Sequence, residues 1–317
     1  MASPVAAEQP SPIQIAPDGD CVLVVGPEMV RIPANSQFLS AASEPFRAMF
    51  RPEWREGHDI RSRVKPVDVP LPQDDATALQ LLCAVIHHRN DMILDKLPTH
   101  TVLNIAVTAE KYDCIRALRF ASEIWLRPES DRHTIGDLLV LAAAAYLLED
   151  AVAFHKITKQ MILTHNGSFT AISDAELKDV MNWRTCGLLE EARAMARLDL
   201  ANVLVSGIND PTGTCVHRCG WSSSYAYAYL QLLQTQDLWP GALGRLSIAD
   251  AIAKAGTIPD PVPEKVDHPC TYGYKHSVPE YRKNRKWDLE NLDSKIGLCL
   301  HCAKSESGNA SRCQIQH

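Results

Sequence analysis

The chain has 317 residues, of which 46% are hydrophobic and 22% are charged, a composition typical of globular domains with apolar cores. The net charge of −6 gives no overall positive field, so we do not expect nucleic acid as the principal partner. The longest apolar run, residues 138–148, is too short to cross a bilayer, and the N-terminus lacks a secretory pattern. We therefore expect an intracellular protein, cytoplasmic or nuclear, that contacts no membrane and keeps its cysteines reduced.

The first predicted elements are a tail and a hairpin. Residues 1–16 contain several prolines and serines and predict a disordered tail. The β-branched run at 20–25 and the MVRI stretch at 29–32 flank Gly26-Pro27. Two such runs around a turn signal predict a β-hairpin.

A helix pair and a third strand are predicted next. The apolar positions of residues 35–50 recur at helical spacing, but Ser43 and Pro45 interrupt them. We predict two short helices, with Ser36 and Ser43 as their N-caps and Pro45 in the first turn of the second helix. The VDVPLP stretch at 67–72 predicts a short strand.

Three amphipathic segments then predict helices that cover these strands. They lie at residues 74–88, 99–112 and 113–126, and each has apolar residues on one face. Strands followed by helices with short connections predict an α+β module over residues 17–126.

The remainder of the chain consists of two parts that differ in composition. Residues 127–206 start with a charged linker and predict a mainly helical extension. Residues 207–317 hold six of the ten cysteines and predict a Cys/His-rich domain.

Two stretches of the first module resemble a known family. SAASEPFRAMF at 40–50 and AEKYDCIRALRF at 109–120 follow the hairpin in the order found in BTB/POZ domains. The chain is most similar to fungal BTB-domain proteins with a cysteine-containing C-terminal region. The resemblance implies a module for protein–protein interaction without catalysis, able to form a homodimer and to dock partner proteins. Many members are substrate adaptors for cullin-type ubiquitin ligases, and others support transcriptional or scaffold complexes.

Two departures from the family concern the homodimer. Asn35 stands where the family usually has a histidine, although Asp20 matches its hairpin aspartate. The extra helix that many members place before the hairpin is missing. A dimer of this chain would therefore use a smaller or different contact.

The strongest chemical signal is a pair of cysteine knuckles, CVHRC at 215–219 and CLHC at 299–302. Such short spacing lets two thiolates face one ion, and structural zinc takes four sulfur or nitrogen ligands in a tetrahedron. The sequence therefore predicts a structural zinc site formed by Cys215, Cys219, Cys299 and Cys302. Four other residues are substitutes for these ligands: Cys270, Cys313, His217 and His301. The alternative is a set of free thiols in a loosely packed region.

No motif for catalysis accompanies these cysteines. The chain has no HExxH sequence, no phosphate-binding loop and no nucleophile elbow, and the CLHC stretch lacks the βαβ setting of a redox dithiol. We predict a protein-interaction adaptor that is not an enzyme. The alternative is a nuclear regulator that binds nucleic acid through the Cys/His-rich region, where the basic run YRKNRKW at 281–287 lies.

Overall fold

The chain is a mixed α+β protein that is mostly helical, as predicted, with a three-stranded sheet near its N-terminal end. The structure is a computed structural model, and it describes residues 15–62, 65–128, 133–172, 183–206, 215, 217, 219–239, 241, 243–261, 270, 272–276 and 280–305. The chain divides into two compact units, Met1–Ala153 and Phe154–His317. Within the described ranges, every helix is too short or too polar to cross a membrane.

The sheet of the first unit confirms the predicted hairpin and third strand. Strands β1 (Cys21–Val25) and β2 (Val30–Ala34) pair antiparallel, and β3 (Val67–Leu71) pairs parallel with β1. The order β2-β1-β3 places β1 in the centre. Because Pro33 and Pro70 lie on the two outer strands, their missing N–H groups remove no bond from the sheet interior.

The helices of the first unit follow the predicted order, with one addition. Residues 74–88, 99–112 and 113–126 all contain helices, and the third begins with a 3-10 turn at Ile115–Leu118. The helices are α1 (Ser36–Ala42), α2 (Glu44–Met49), α3 (Arg55–Ser62), α4 (Ala76–Ile86), α5 (Thr99–Lys111), α6 (Arg119–Trp125) and α7 (Ile135–Leu147). A second 3-10 turn occupies Asn90–Met92.

Helix α3 is the addition, and its stability comes from contacts that the sequence pattern does not reveal. Its residues, REGHDIRS, have no apolar stripe. The Arg61 guanidinium donates hydrogen bonds to the carbonyls of Phe50 (3.2 Å) and Gly57 (2.9 Å), which ties the helix to the preceding turn. A Cβ at Gly57 would lie 2.0 Å from the carbonyl oxygen of Arg51. Glycine is therefore required where the helix meets this turn.

The cap prediction was right for α2 and wrong for α1. The Ser43 hydroxyl accepts the N–H of Phe46 at 3.1 Å and so caps α2, as predicted. The cap of α1 is Asn35, whose side-chain oxygen accepts the N–H of Gln37 at 2.9 Å. Ser36 is the first helical residue, and its N–H and hydroxyl both donate to the Asp20 carboxylate, at 2.7 and 2.6 Å. The Ser36 hydroxyl, which was predicted to cap α1, therefore bonds to the Asp20 carboxylate instead.

A stacked pair of aromatic rings joins the two stretches that resemble the BTB family. The ring of Phe46 on α2 lies parallel to that of Tyr112, at the end of α5, with centroids 4.4 Å apart. The Tyr112 hydroxyl donates to Asp74 (2.9 Å), and Lys111 pairs with the same carboxylate (2.7 Å). The Ser43 hydroxyl donates to the Tyr112 carbonyl (2.6 Å). The helix pair and the end of α5 therefore form one buried core.

The second unit is helical in its described part. Its helices are α8 (Ala151–Thr164, which begins just before the unit), α9 (Trp183–Ser206), α10 (Trp221–Thr235), α11 (Ile248–Thr257), α12 (Tyr281–Lys295) and α13 (Leu300–Lys304). A 3-10 turn occupies Phe169–Ala171. Helix α9 packs against α11, α12 and α13.

The two compact units do not coincide with the three predicted parts of the chain. The sequence suggested divisions after residues 126 and 206, whereas the units meet between Ala153 and Phe154. Helix α7, the apolar start of the predicted extension, packs on α5 within the first unit. The division into three functional parts stays a prediction.

A buried arginine anchors α12 within the second unit. The guanidinium of Arg285 donates to the carbonyls of Ala255 (2.8 Å) and Ile258 at the end of α11, and to the Tyr229 hydroxyl on α10 (3.4 Å). Arg285 belongs to the basic run at 281–287 of the Cys/His-rich region. One of its cations therefore stabilises the fold, because it satisfies carbonyls that the end of a helix leaves unpaired.

Candidate metal centre

Four side chains of the second unit converge on one point. They are Cys215, Cys219, Cys270 and His276, and their ligand atoms all lie within 4.8 Å of one another. The Sγ atoms of Cys215 and Cys270 are 3.8 Å apart, and the Cys219 Sγ lies 3.1 Å from Nε2 of His276. Such a Cys3His cluster can bind a metal ion.

The distance between two of the sulfur atoms matches that of a tetrahedral site. An ion bound by sulfur at about 2.3 Å holds two sulfurs of a tetrahedron roughly 3.8 Å apart. The distance between the Cys215 and Cys270 sulfurs has this value. Cys270 is buried and the other three residues are half-buried, so the cluster is largely shielded from solvent. Shielded sites with four protein ligands are typical of structural metal ions.

Local backbone geometry positions the two ligand pairs, Cys215 with Cys219 and Cys270 with His276. Gly220 has φ +86° directly after Cys219, and α10 begins at the next residue. The Cys215 N–H donates to the Ser222 hydroxyl (3.0 Å), which holds the first pair at the start of that helix. In the second pair, Gly273 has φ +71° and its N–H donates to the Cys270 carbonyl (2.7 Å). This turn lets the chain return from Cys270 to the imidazole of His276.

An aromatic contact orients the histidine. The indole ring of Trp221, the first residue of α10, stacks on the His276 ring with centroids 5.2 Å apart and planes at 12°. Trp221 also contacts Tyr225 one turn further along the helix, at 5.8 Å. Stacking restricts the rotation of the imidazole, so its Nε2 stays directed at the Cys219 sulfur.

The thiols of the cluster influence one another's ionisation. Desolvation opposes the thiolate of Cys215, but hydrogen bonds from the His217 N–H and from Cys219 outweigh it and lower the Cys215 pKa. At Cys219 the Trp221 N–H favours the thiolate, yet desolvation and the neighbouring thiols Cys215 and Cys270 raise the pKa overall. One thiolate therefore forms at the expense of another. A bound cation stabilises all of the thiolates together, so their mutual repulsion no longer opposes ionisation.

The structure brings together two of the four ligands predicted from sequence. Cys215 and Cys219 are in the cluster, whereas Cys299 and Cys302 do not join it in the part of the chain that the structure describes. Cys299 precedes the first residue of α13 and Cys302 lies within it, and both line a groove beside α9. Helix α13 packs on α9, and this packing directs the CLHC stretch toward α9. Cys270, predicted as a substitute, and His276 complete the cluster.

The remaining substitutes have other positions. His217 lies between the first two ligands in sequence, but its ring contacts Tyr272 and Tyr274. His301 is on α13, and Cys313 lies outside the described residues. His276 was missed, although the Cys-x5-His spacing from Cys270 could have revealed it.

Three other cysteines are core residues. Cys83 and Cys114 are buried, and Cys21 is buried in β1. Burial raises the pKa of Cys114 to about 11, so its thiol stays protonated at neutral pH. These thiols belong to the apolar core and lie outside the Cys3His cluster.

Comparison of the chain with models of protein families, with curated proteins and with solved structures finds no match in any of the three. The geometry and chemistry of the residues therefore carry the functional argument.

Proposed function

We propose that this chain is a protein-interaction adaptor whose module at residues 17–126 is of the BTB/POZ type. The observation that carries the proposal is the stacked contact between Phe46 and Tyr112, at 4.4 Å. It joins the two stretches that resemble the family, and it lies beside a sheet formed by a hairpin and one parallel strand. The proposal requires the two stretches to pack together in one core, and this contact supports it.

Exposed apolar side chains on the first unit support binding of other proteins. Phe120 on α6 is 80% exposed and Trp54 is 61% exposed, and Phe38 on α1 is partly exposed as well. Large aromatic side chains that are exposed to solvent are typical of surfaces that bind other proteins. The partners we propose are a second copy of the chain and a cullin-type scaffold, for which the chain would serve as a substrate adaptor.

The hairpin aspartate bears on the form of the homodimer. The carboxylate of Asp20 already accepts two hydrogen bonds from Ser36, and Asn35 caps α1 where the family usually has a histidine. These contacts within the chain support a homodimer that does not depend on the charged pocket of the family. We therefore propose that a homodimer uses apolar contacts.

We further propose that the Cys3His cluster binds zinc and that the ion is structural. Three thiolates and one imidazole are a donor set that zinc favours, and an ion with these four ligands has no open position for substrate. The second unit would then depend on the ion for part of its folding free energy. A structural ion agrees with an adaptor that is not an enzyme.

Self-association and scaffold binding test the adaptor proposal. Sedimentation velocity of the full zinc-loaded chain over a range of concentrations measures the oligomeric state. Biolayer interferometry against the N-terminal domain of a cullin measures scaffold affinity. The variants Phe120→Glu and Trp54→Glu place a charge on the exposed apolar surface. The matched control, Val152→Glu, changes a residue that is 64% exposed and lies outside residues 17–126.

We expect self-association, cullin binding or both, weakened about tenfold or more by at least one surface variant and unchanged in the control. Such a loss corresponds to roughly 1.4 kcal/mol or more, as expected for one aromatic contact residue. A chain that stays monomeric and binds no cullin domain contradicts the proposal.

A further inference from the structure

An exposed group of aromatic rings lies next to the metal centre. The ring of His217 contacts the rings of Tyr272 and Tyr274, with centroids 4.4 and 5.0 Å apart. We call these three residues the ring surface. Tyr272 is 69% exposed and Tyr274 is 63% exposed, whereas Tyr225 and Tyr229 on the neighbouring helix are buried. The ring surface is therefore not part of the core of the second unit.

The metal ligands position both halves of the ring surface. His217 lies between Cys215 and Cys219 in sequence, and both tyrosines lie between Cys270 and His276. An ion bound by these four ligands closes two short loops at one point and brings their rings together. Because the loops are short, the rings keep their arrangement without being buried, and little entropy is lost when a ligand stacks on them.

One basic side chain adjoins the ring surface, and a series of ring contacts connects the metal centre with α12. Lys275 is exposed and lies between Tyr274 and the ligand His276. Ring contacts then lead from His276 through Trp221 and Tyr225 to Tyr281, the first residue of α12.

The N-terminal half of α12 adds three exposed cations and an exposed indole. Arg282, Lys283 and Lys286 are exposed, and so is Trp287. Lys283 pairs with Glu280 at 3.4 Å. Within the described residues, Arg282 and Lys286 form no ion pair, so their charges remain accessible to an anionic ligand.

The net negative charge of the chain belongs to its first unit. Met1–Ala153 has 14 Lys and Arg against 21 Asp and Glu, whereas Phe154–His317 has 18 against 17. The acidic total therefore does not exclude a polyanion from the second unit. The exposed cations also outnumber the single negative charge that a zinc ion with three thiolates carries.

We propose that the ring surface and the basic start of α12 bind single-stranded nucleic acid. Unpaired bases stack on Tyr272 and Tyr274, and phosphates contact Lys275, Arg282 and Lys286. Exposed aromatic rings beside a basic path are how single strands are bound without a sequence code. A duplex keeps its bases stacked inside, so it cannot use the rings. The proposal requires the closed metal centre but does not depend on the function of the first unit.

Fluorescence anisotropy of a labelled single strand tests this proposal. The probe is an oligonucleotide of about ten nucleotides, within the range of site sizes for single-strand binding folds, prepared as RNA, as DNA and as a duplex. The full zinc-loaded chain is titrated at several salt concentrations. The test variant is Tyr272→Ala with Tyr274→Ala, and zinc content is measured for every protein.

The matched control is Tyr227→Ala. Tyr227 lies on α10 and is 63% exposed, the same fraction as Tyr274, but it points away from the buried Tyr225 and Tyr229 on that helix. A general loss of exposed aromatic surface would affect the control as much as the test variant.

We expect the wild-type chain to bind the single strand more tightly than the duplex, and the double variant to bind it at least tenfold more weakly while keeping its zinc. The Tyr227→Ala control should bind as the wild type does. Lys286→Gln should lower the slope of log affinity against log salt by about 0.7, the value for one phosphate contact on a single strand. A preference between the RNA and DNA probes identifies the natural ligand.

Several results would overturn the proposal. Failure of the zinc-loaded chain to bind any oligonucleotide would mean that the ring surface serves another ligand, such as a protein. Equal affinity for the duplex, or equal losses in the test variant and the control, would show that the rings do not stack on bases. None of these results depends on whether the first unit self-associates or binds a cullin, so the two proposals fail separately.

Discussion

Replacement of Cys270 tests the ligand set of the metal centre most directly. Its sulfur is buried and lies 3.8 Å from that of Cys215, so a serine there replaces a thiolate with a hydroxyl that stays protonated at neutral pH. A structural zinc site contributes on the order of 10–16 kcal/mol, and division over four ligands gives roughly 3 kcal/mol for each. The Kd for zinc should therefore rise about a hundredfold in Cys270→Ser.

Two measurements check this expectation. Competition with a chromophoric chelator gives the Kd, and Co²⁺ substitution reports tetrahedral thiolate ligation by its absorption spectrum. Under saturating metal, a hundredfold higher Kd lowers the free energy of unfolding by about 2.7 kcal/mol through linkage. Removal of zinc with a chelator should destabilise the wild type more than the variant.

Cys299→Ser is the matched control, because Cys299 is also a half-buried thiol of the second unit but lies outside the cluster. We expect its Kd for zinc to equal that of the wild type. If Cys299→Ser weakens zinc binding as much as Cys270→Ser does, Cys299 is a ligand, as predicted from sequence, and the ligand set inferred from the cluster geometry is wrong. Failure of the wild-type chain to bind zinc at all would refute the metal centre.

Three further predictions concern the stability of the two units. Phe46→Ala removes the ring that stacks on Tyr112 and should lower the free energy of unfolding by about 3–5 kcal/mol in urea denaturation followed by circular dichroism; a loss below about 1 kcal/mol would contradict the role of the stack. Arg285→Leu leaves two buried carbonyls without a donor and should cost roughly 3 kcal/mol, whereas an unchanged thermal midpoint would mean that water replaces the guanidinium. Burial lowers the pKa of His87, whose Nε2 accepts the Asn35 N–H, so the unfolded state binds the proton more readily. Stability should fall as pH drops below about 6.5, the ordinary pKa of histidine, and His87→Gln should weaken this dependence in thermal unfolding from pH 7.5 to 5.

The sequence predicted the local elements well, because their signals lie within a few residues. The β-branched runs around Gly26-Pro27 form the hairpin. Apolar residues at helical spacing form α4, α5 and α7, and Ser43 caps α2. Each of these outcomes depends on backbone propensity, on a turn or on a periodic apolar face, which a short stretch of chain specifies by itself.

The first half of the metal centre was also readable from sequence. Cys215 and Cys219 are close in the chain, and both belong to the Cys3His cluster. Spacing offered two candidate second pairs, Cys299 with Cys302 and Cys270 with His276, and it did not decide between them. The sulfur of Cys270 is 55 residues away from Cys215 in sequence, and its approach depends on how the second unit packs.

Only the tertiary structure decided the features that depend on distant contacts. Helix α3 lacks an apolar stripe and exists because Arg61 and Gly57 meet the preceding turn. Asn35 caps α1 because Asp20, on the hairpin, attracts Ser36. Helix α13 carries its cysteines toward α9 because its apolar residues are buried there. The sequence by itself determined where the strands, the helices with an apolar stripe and the first thiol pair form, since these depend on neighbours along the chain. Packing between distant segments determined which thiols come together in one cluster and which rings face the solvent, because burial and hydrogen bonding are satisfied only in the whole fold.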